Sequence, residues 1–207
     1  GKRVGYGPVK AKDVPALFDA GMMTGGDHPL CLGEVEDLPF LKEQTRLTFA
    51  RCGITDPLSL ADYESHGGLA GLRRAVSMTS AEVVKEVTDS GLRGRGGAGF
   101  PTGIKWKTVL DAPGDRKYIV CNADEGDSGT FADRMIMEGD PFVLIEGMAI
   151  AGLATGATKG YVYTRSEYPH AIAVMTEAVG IARQAGILGP SVLGWADNDE
   201  TVAVMAT

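Results

Sequence analysis

Five glycines fall between Gly91 and Gly99 in the run Gly91-Leu-Arg-Gly-Arg-Gly-Gly-Ala-Gly-Phe-Pro-Thr-Gly-Ile-Lys-Trp106, with Arg93, Arg95 and Lys105 as the nearby cations. Glycine admits positive φ and lets a ligand approach the main chain closely, at an entropic cost that needs a reason. Free amides, guanidinium groups and the start of a following helix together favour a bound phosphate. Gly94, Gly96 and Gly99 also match the G-x-G-x-x-G spacing of a dinucleotide turn. The context departs from that turn, which follows a strand and opens a helix at once. Here a helical pattern ending near Asp89 enters the glycines, and Phe100-Pro101 postpones the next helix. A glycine-rich linker is the competing reading, and the cations count against it. An ATP-binding P-loop is disfavoured because no Gly-Lys-Ser/Thr triplet is present.

A second constellation, Asn122-Ala-Asp124-Glu125-Gly-Asp127-Ser-Gly-Thr130, follows the apolar run 117–121. That run is bounded by turn residues and predicts a buried strand. Ligands of open α/β sheets sit at the carboxyl ends of such strands. A solvated acidic loop is the plainer alternative. Asn and Asp side chains can bind ribityl or ribose hydroxyls, and a carboxylate beside a redox ring tunes its electronics.

The elements that must hold these stretches follow from periodicity and caps. Residues 2–9 read as extended, and Val14, Leu17 and Phe18 keep a helical period after Asp13. From 21 to 71 the chain is rich in Gly, Pro and Asp, with modest helical signals at 38–49 and 59–66. Helices are expected over 69–76 and from Thr79-Ser-Ala-Glu82, a capping box, to about Asp89. Residues 102–110 continue helically, followed by the strand at 117–121 and a polar loop at 122–129. Helices at 131–138 and 141–156, a strand at 160–164 and a helix at 168–185 complete the pattern. Strand, helix, strand, helix implies a parallel α/β layer. Beyond Gly189 no element is assigned.

The chain has 207 residues and is 44% hydrophobic, enough to bury a core and to make one or two domains. Its net charge of −7 argues against a general nucleic-acid or anionic-membrane surface. The three cysteines, Cys31, Cys52 and Cys121, are odd in number and form no CxxC pair, so three thiols are expected rather than a disulfide framework. No metal site is expected in this chain. No apolar run reaches bilayer length and no secretory pattern opens the sequence, so a cytoplasmic location without membrane insertion is expected.

GLRGRGGAGFPTGIKW, then CNADEGDSGTFADR and GYVYTRSEYPHAI, resemble the family of FMN- and NADH-binding flavoprotein subunits. That family comprises the flavoprotein subunit of respiratory complex I, the diaphorase subunit of NAD-reducing hydrogenases and the beta subunit of NAD-dependent formate dehydrogenases. The likeness runs from about Gly21 to Gly194. Gly26-Asp-His-Pro-Leu-Cys-Leu, Leu47-Thr-Phe-Ala-Arg and Asp56-Pro-Leu are most similar to the formate dehydrogenase and hydrogenase branches.

The resemblance implies an α/β fold: a Rossmann-like parallel sheet with helices that binds FMN, preceded by the end of a thioredoxin-like domain. It divides the chain into that end (1–20), an extended wrapping segment (21–78), an incomplete FMN- and NADH-binding domain (79–194) and a divergent tail (195–207). FMN would lie along Gly94, Gly96 and Gly97, with Arg95 and Lys105 as cations of the same site and Asn122 and Asp124 as flavin-binding polar groups. Glu125 would stand next to flavin and nicotinamide as the catalytic carboxylate, Phe100 would stack on adenine, and Asp127 would lie near the nucleotide. Hydride would pass between nicotinamide and flavin, and single electrons to iron–sulfur clusters. Cys121 matches no cluster ligand, and an inert thiol is expected. The family's 4Fe–4S cysteines are absent here, so full turnover is not expected of this chain alone. The implied partners are subunits carrying iron–sulfur clusters and a molybdenum or nickel catalytic subunit, with formate dehydrogenase first and hydrogenase or complex I as the other pathways. A truncated, non-catalytic interaction subunit is the alternative function.

Overall fold

The computed structural model describes residues 3–127, 129–193 and 195–206. The chain forms two compact units that meet in sequence at Leu47 and Thr48.

In the first unit, strands β1 (Val4–Tyr6) and β2 (Cys31–Glu34) pair antiparallel, with α1 (Val14–Asp19) between them in sequence. The Tyr6 hydroxyl donates to the Gly26 carbonyl at 2.5 Å, which closes the intervening loop. Helix α2 spans Pro39–Lys42 alone, so the expected helix over 38–49 shrinks to one turn. Proline suits that first turn, but a single turn fixes several dihedrals for few hydrogen bonds, and no bulky buried face extends it.

The second unit runs from Thr48. Helices α3 (Leu60–Ser65) and α4 (Ala70–Ala75) place Tyr63, Leu69, Leu72 and Ala75 in the main core. Helix α5 (Ser80–Asp89) opens on the expected capping box: Glu82 N donates to Thr79 Oγ1 at 3.3 Å, and Thr79 N donates to the Glu82 carboxylate at 2.8 Å. Helices α6 (Thr102–Asp111), α7 (Ala132–Gly139), α8 (Pro141–Thr155) and α9 (Pro169–Gln184) follow. Helix α8 is apolar all round, as a central helix must be, and α4, α5, α6, α7 and α9 all pack on it. Its single charge, Glu146, accepts from the Tyr63 hydroxyl and from the amides of Leu69 and Leu72 at 2.9 Å each, thereby capping α4.

The sheet comprises β3 (Tyr118–Ala123), β4 (Lys159–Thr164), β5 (Gly189–Val192) and β6 (Trp195–Ala206), in the order β3-β4-β6-β5. β3, β4 and β6 run parallel, whereas β5 turns back antiparallel against β6. The sequence assigns no element to 195–207, a stretch whose Asp197-Asn-Asp-Glu200 run opposes strand propensity; pairing of Trp195, Ala196 and Glu200 with β5, and of Thr201–Ala206 with β4, overrides that preference. β3 and β4 extend one or two residues beyond their expected limits, so Asn122 is a strand residue and not part of the following loop. Right-handed crossovers that advance in one direction lie on one sheet face. Ile119, Ala123 and Val162 point into the core on that side. Tyr118 and Val120 on the opposite face are 45% and 62% exposed. Among the described residues, no helix is long and apolar enough to cross a membrane.

Candidate functional site

Residues 91–102 form a closed hairpin between α5 and α6. Thr102 N donates to Leu92 O and Gly94 N to Phe100 O, each at 2.9 Å, and Arg93 bridges antiparallel to Pro101. The Arg93 guanidinium folds onto this frame and donates to Gly99 O at 3.0 Å. The cation that sequence reasoning directs to a ligand therefore holds the loop itself. Gly97 at φ +99° and Gly99 at φ +58° make the tip, in a region where a side chain is strained. Among the described residues, the amides of residues 95–99 have no hydrogen-bond partner. Successive free amides are the kind of donor from which anion-binding nests are built. Arg95 and Lys105 are exposed beside it. Pro101 caps α6 with no side-chain bond, so the helix entrance keeps free donors and its positive dipole end.

The hairpin is seated by a close helix approach. A Cβ on Gly103 would lie 2.2 Å from Thr88 Oγ1 and 2.6 Å from Thr88 Cα, so α5 and α6 touch where only glycine fits. Helix α6 and β3 join through residues 112–117, where Lys117 Nζ donates to Leu110 O at 2.9 Å. The helix entrance with its hairpin and the strand exit with its acidic loop both lie away from that junction.

At the β3 exit, Asn122 Oδ1 accepts from Asp124 N at 3.1 Å, a local turn that aims the chain off the sheet. Glu125 follows at φ +44°, a left-handed conformation that costs a non-glycine residue about 1 kcal/mol. Its carboxylate accepts from Asp133 N at 2.9 Å and Arg134 N at 3.1 Å. These are the second and third amides of α7, whose own N-cap residue, Phe131, has no side-chain acceptor. Glu125 therefore caps α7 from a distance of several residues. Its backbone carbonyl accepts from Arg165 Nη1 at 2.9 Å, which ties the β3 exit to the β4 exit. Arg165 is itself forked onto Glu167, and that guanidinium holds the Glu167 carboxyl down to about 2.

Tyr168, buried, lies beneath the guanidinium groups of both Arg134 and Arg165, at 5.3 Å and 5.2 Å from its ring centroid. Burial, and then the Glu125 charge, raises its hydroxyl pKa. The same two causes, in the same order, raise the Asp133 carboxyl. Cys121, on the strand that feeds the loop, is pushed up to about 11 by burial, with a smaller contribution from Asp133.

The structure thus gathers Asn122, Asp124 and Glu125 at one strand exit, and Gly94, Arg95, Gly96, Gly97 and Lys105 around one hairpin and helix entrance. Phe100 stands at the hairpin base, 48% exposed. Asp127 is exposed in the acidic loop, with its carbonyl accepting from Thr130 N at 3.2 Å. Sequence reasoning passes over Arg165, Arg134 and Tyr168. The available signal was position: Arg165 directly follows the last residue of β4, where the strand-end rule applies as it does to β3.

The family described as the Nuo51 FMN-binding domain matches residues 87–207. HndC, a component of the NADP-reducing hydrogenase of Solidesulfovibrio fructosivorans, is 53% identical over 74% of this chain and 31% of its own length. A component of the NADH-quinone oxidoreductase of Rhizobium meliloti is 51% identical over 68% of this chain and 34% of its own length. The alpha subunit of the NAD-reducing hydrogenase HoxS of Cupriavidus necator is 40% identical over 64% of this chain and 22% of its own length. The chain spans about a third or less of the length of these relatives. In fold it is similar to an NAD+-reducing nickel–iron hydrogenase in the H2-reduced state, with a TM-score of 0.62 and 24% identity over 97% of this chain and 32% of that one.

Proposed function

Because this chain belongs to the family of the Nuo51 FMN-binding domain, matched over residues 87–207, we propose that it holds FMN and takes part in electron exchange with NAD(H) inside a larger redox complex. The observation that carries the proposal is the hairpin tip, whose unpartnered amides stand beside Arg95, Lys105 and the uncapped entrance of α6. That donor set fits a phosphate monoester, with Gly96 and Gly97 lending amides and Gly94, whose amide is held by Phe100 O, lending close approach of its Cα. Asn122 and Asp124 at the β3 exit are suited to polyol hydroxyls. Bound FMN would supply the exchange between two-electron hydride chemistry and single-electron transfer.

The protein's own part is positioning. Glu125, fixed by two amides and by Arg165, is assigned to orient the nicotinamide, and the half-exposed ring of Phe100 to stack on adenine. Asp127 is assigned to the same nucleotide. Close placement of two reactants removes the entropic cost of bringing them together in the reacting step. The names of the relatives support a complex of the NADH-quinone oxidoreductase or NAD(P)-reducing hydrogenase type. Apart from those names, the segment from Gly26 to Leu32 is our reason to prefer the formate dehydrogenase or hydrogenase branch, with a molybdenum or nickel partner subunit and a 4Fe–4S cluster on a further part of the flavoprotein subunit. A cytoplasmic location and a thioredoxin-like domain ending near residue 20 belong to the same proposal.

The chain purified with its partner subunits should release FMN on acid treatment, and the released flavin should be reducible by NADH before release. Absence of flavin would favour the alternative, a non-catalytic interaction subunit. NADPH is the second nucleotide to test, because the relative at 53% identity comes from an NADP-reducing enzyme. Metal analysis of the copurifying subunits separates molybdenum from nickel.

A further inference from the structure

We propose that Arg165 is a positioning residue of this site, acting on NAD(H) through Glu125. The proposal rests on the assignment of Glu125 to the nicotinamide made above. Glu125 is one of three non-glycine residues at positive φ among the described residues, and a strained conformation persists only where its surroundings over-determine it. Three bonds do so here. Arg165 Nη1 holds the carbonyl at 2.9 Å, and the amides of Asp133 and Arg134 hold the carboxylate.

Arg165 can do this because its remaining nitrogens are already fixed. Nε and Nη2 reach the two Glu167 oxygens at 3.3 Å and 3.0 Å, a fork that sets the plane of the guanidinium. The buried Tyr168 ring supports it from 5.2 Å. A single planar cation thus spans from Glu167 to a carbonyl 40 residues earlier in the chain, joining the exits of two adjacent parallel strands. Lysine has three donors on one nitrogen and lacks the planar fork that spans the two partners in fixed geometry. Without Arg165, the carbonyl loses its donor, Glu125 relaxes toward ordinary φ, and its carboxylate leaves the α7 amides.

The test uses Arg165→Gln and Arg165→Lys, each alone and combined with Glu125→Gly, in the assembled holoenzyme. Hydrogen exchange at the Asp133 and Arg134 amides reads the Glu125 cap without reference to turnover. Acid-released FMN and the separate KM and kcat for NADH read the site. In Arg165→Gln the two amides should exchange about tenfold faster, the size of a lost cap. FMN content should hold, and KM for NADH should rise about tenfold with a smaller change in kcat. Arg165→Lys should move in the same direction by less. With Glu125→Gly present, the Arg165 substitutions should add less than about twofold, because no carboxylate remains to be positioned.

Unchanged exchange at the two amides overturns the proposal, as does a Lys variant equal to wild type or full multiplication of effects in the Glu125→Gly background. Parallel loss of FMN and of thermal stability, with KM unmoved, also overturns it in favour of a purely structural role. If the wild-type complex holds no flavin, the functional reading fails instead, and the exchange measurement still decides whether Arg165 positions Glu125.

Discussion

The glycine hairpin at residues 91–102 and the acidic loop that follows β3 adjoin the same α6–β3 unit and are built by opposite means. The hairpin is held by its own backbone, through Leu92 to Thr102 and Gly94 to Phe100, and its tip amides have no partner among the described residues. The acidic loop is held from outside, by the α7 amides and by Arg165 from the next strand. The hairpin therefore offers donors to a ligand, whereas the loop presents an acceptor whose position depends on residues far away in sequence. An anion and its hydroxylated tail need both kinds of surface.

The strongest way to break the hairpin is at its seat. Gly103→Ala forces a Cβ into Thr88, including its Cα, and should destabilise the second unit by about 3 kcal/mol, the upper end for overpacking. In a thermal melt that corresponds to a fall in Tm of about 8 °C. A neutral result would mean that α5 and α6 separate without loss and that the hairpin is not rigidly seated.

The acidic loop should respond more weakly and in a way that exposes its strain. Glu125→Ala removes the α7 cap and keeps the strained φ, which should cost about 1 kcal/mol in denaturant unfolding. Glu125→Gly removes the same cap but relieves the strain, and should lie closer to wild type than the alanine variant. If glycine were the worse of the two, the left-handed conformation would not be a cost at all.

The smallest effect is at Cys121. Its thiol, raised to about 11 by burial, gives a folded pKa above the ordinary value, so the folded state binds more protons in that interval. The associated stability is complete below the ordinary thiol range near pH 9 and is lost as pH rises through about 11. Iodoacetamide at pH 8 should therefore modify Cys121 far more slowly than a model thiol. Rapid modification would show that the strand feeding the loop opens readily.

Much of this was legible in sequence wherever local chemistry decides. The Thr79 and Glu82 capping box, the helix stop before Gly91, and Pro101 as the residue entering α6 all stand where the sequence puts them. The parallel pairing of β3 and β4 follows from the alternation of strands and helices. What was not legible depends on partners distant in sequence. The Asp197–Glu200 acids opposed a strand, yet that stretch lies in β6, held by β5 on its own length and by β4 from Thr201 onward. Phe131 gave no sign that α7 would be capped by Glu125, and nothing local to Glu125 pointed to Arg165. The segment 38–49 carried helical spacing without a core to pack on, and only 39–42 is helical.

Amide NMR of the isotope-labelled chain titrated with FMN tests the central assignment most directly. The amides of Gly94, Gly96 and Gly97 should shift and saturate at one equivalent, together with those of Asp124 and Glu125. Binding that leaves the three glycine amides unmoved, or no binding at all, would contradict the assignment of the hairpin as the phosphate cradle.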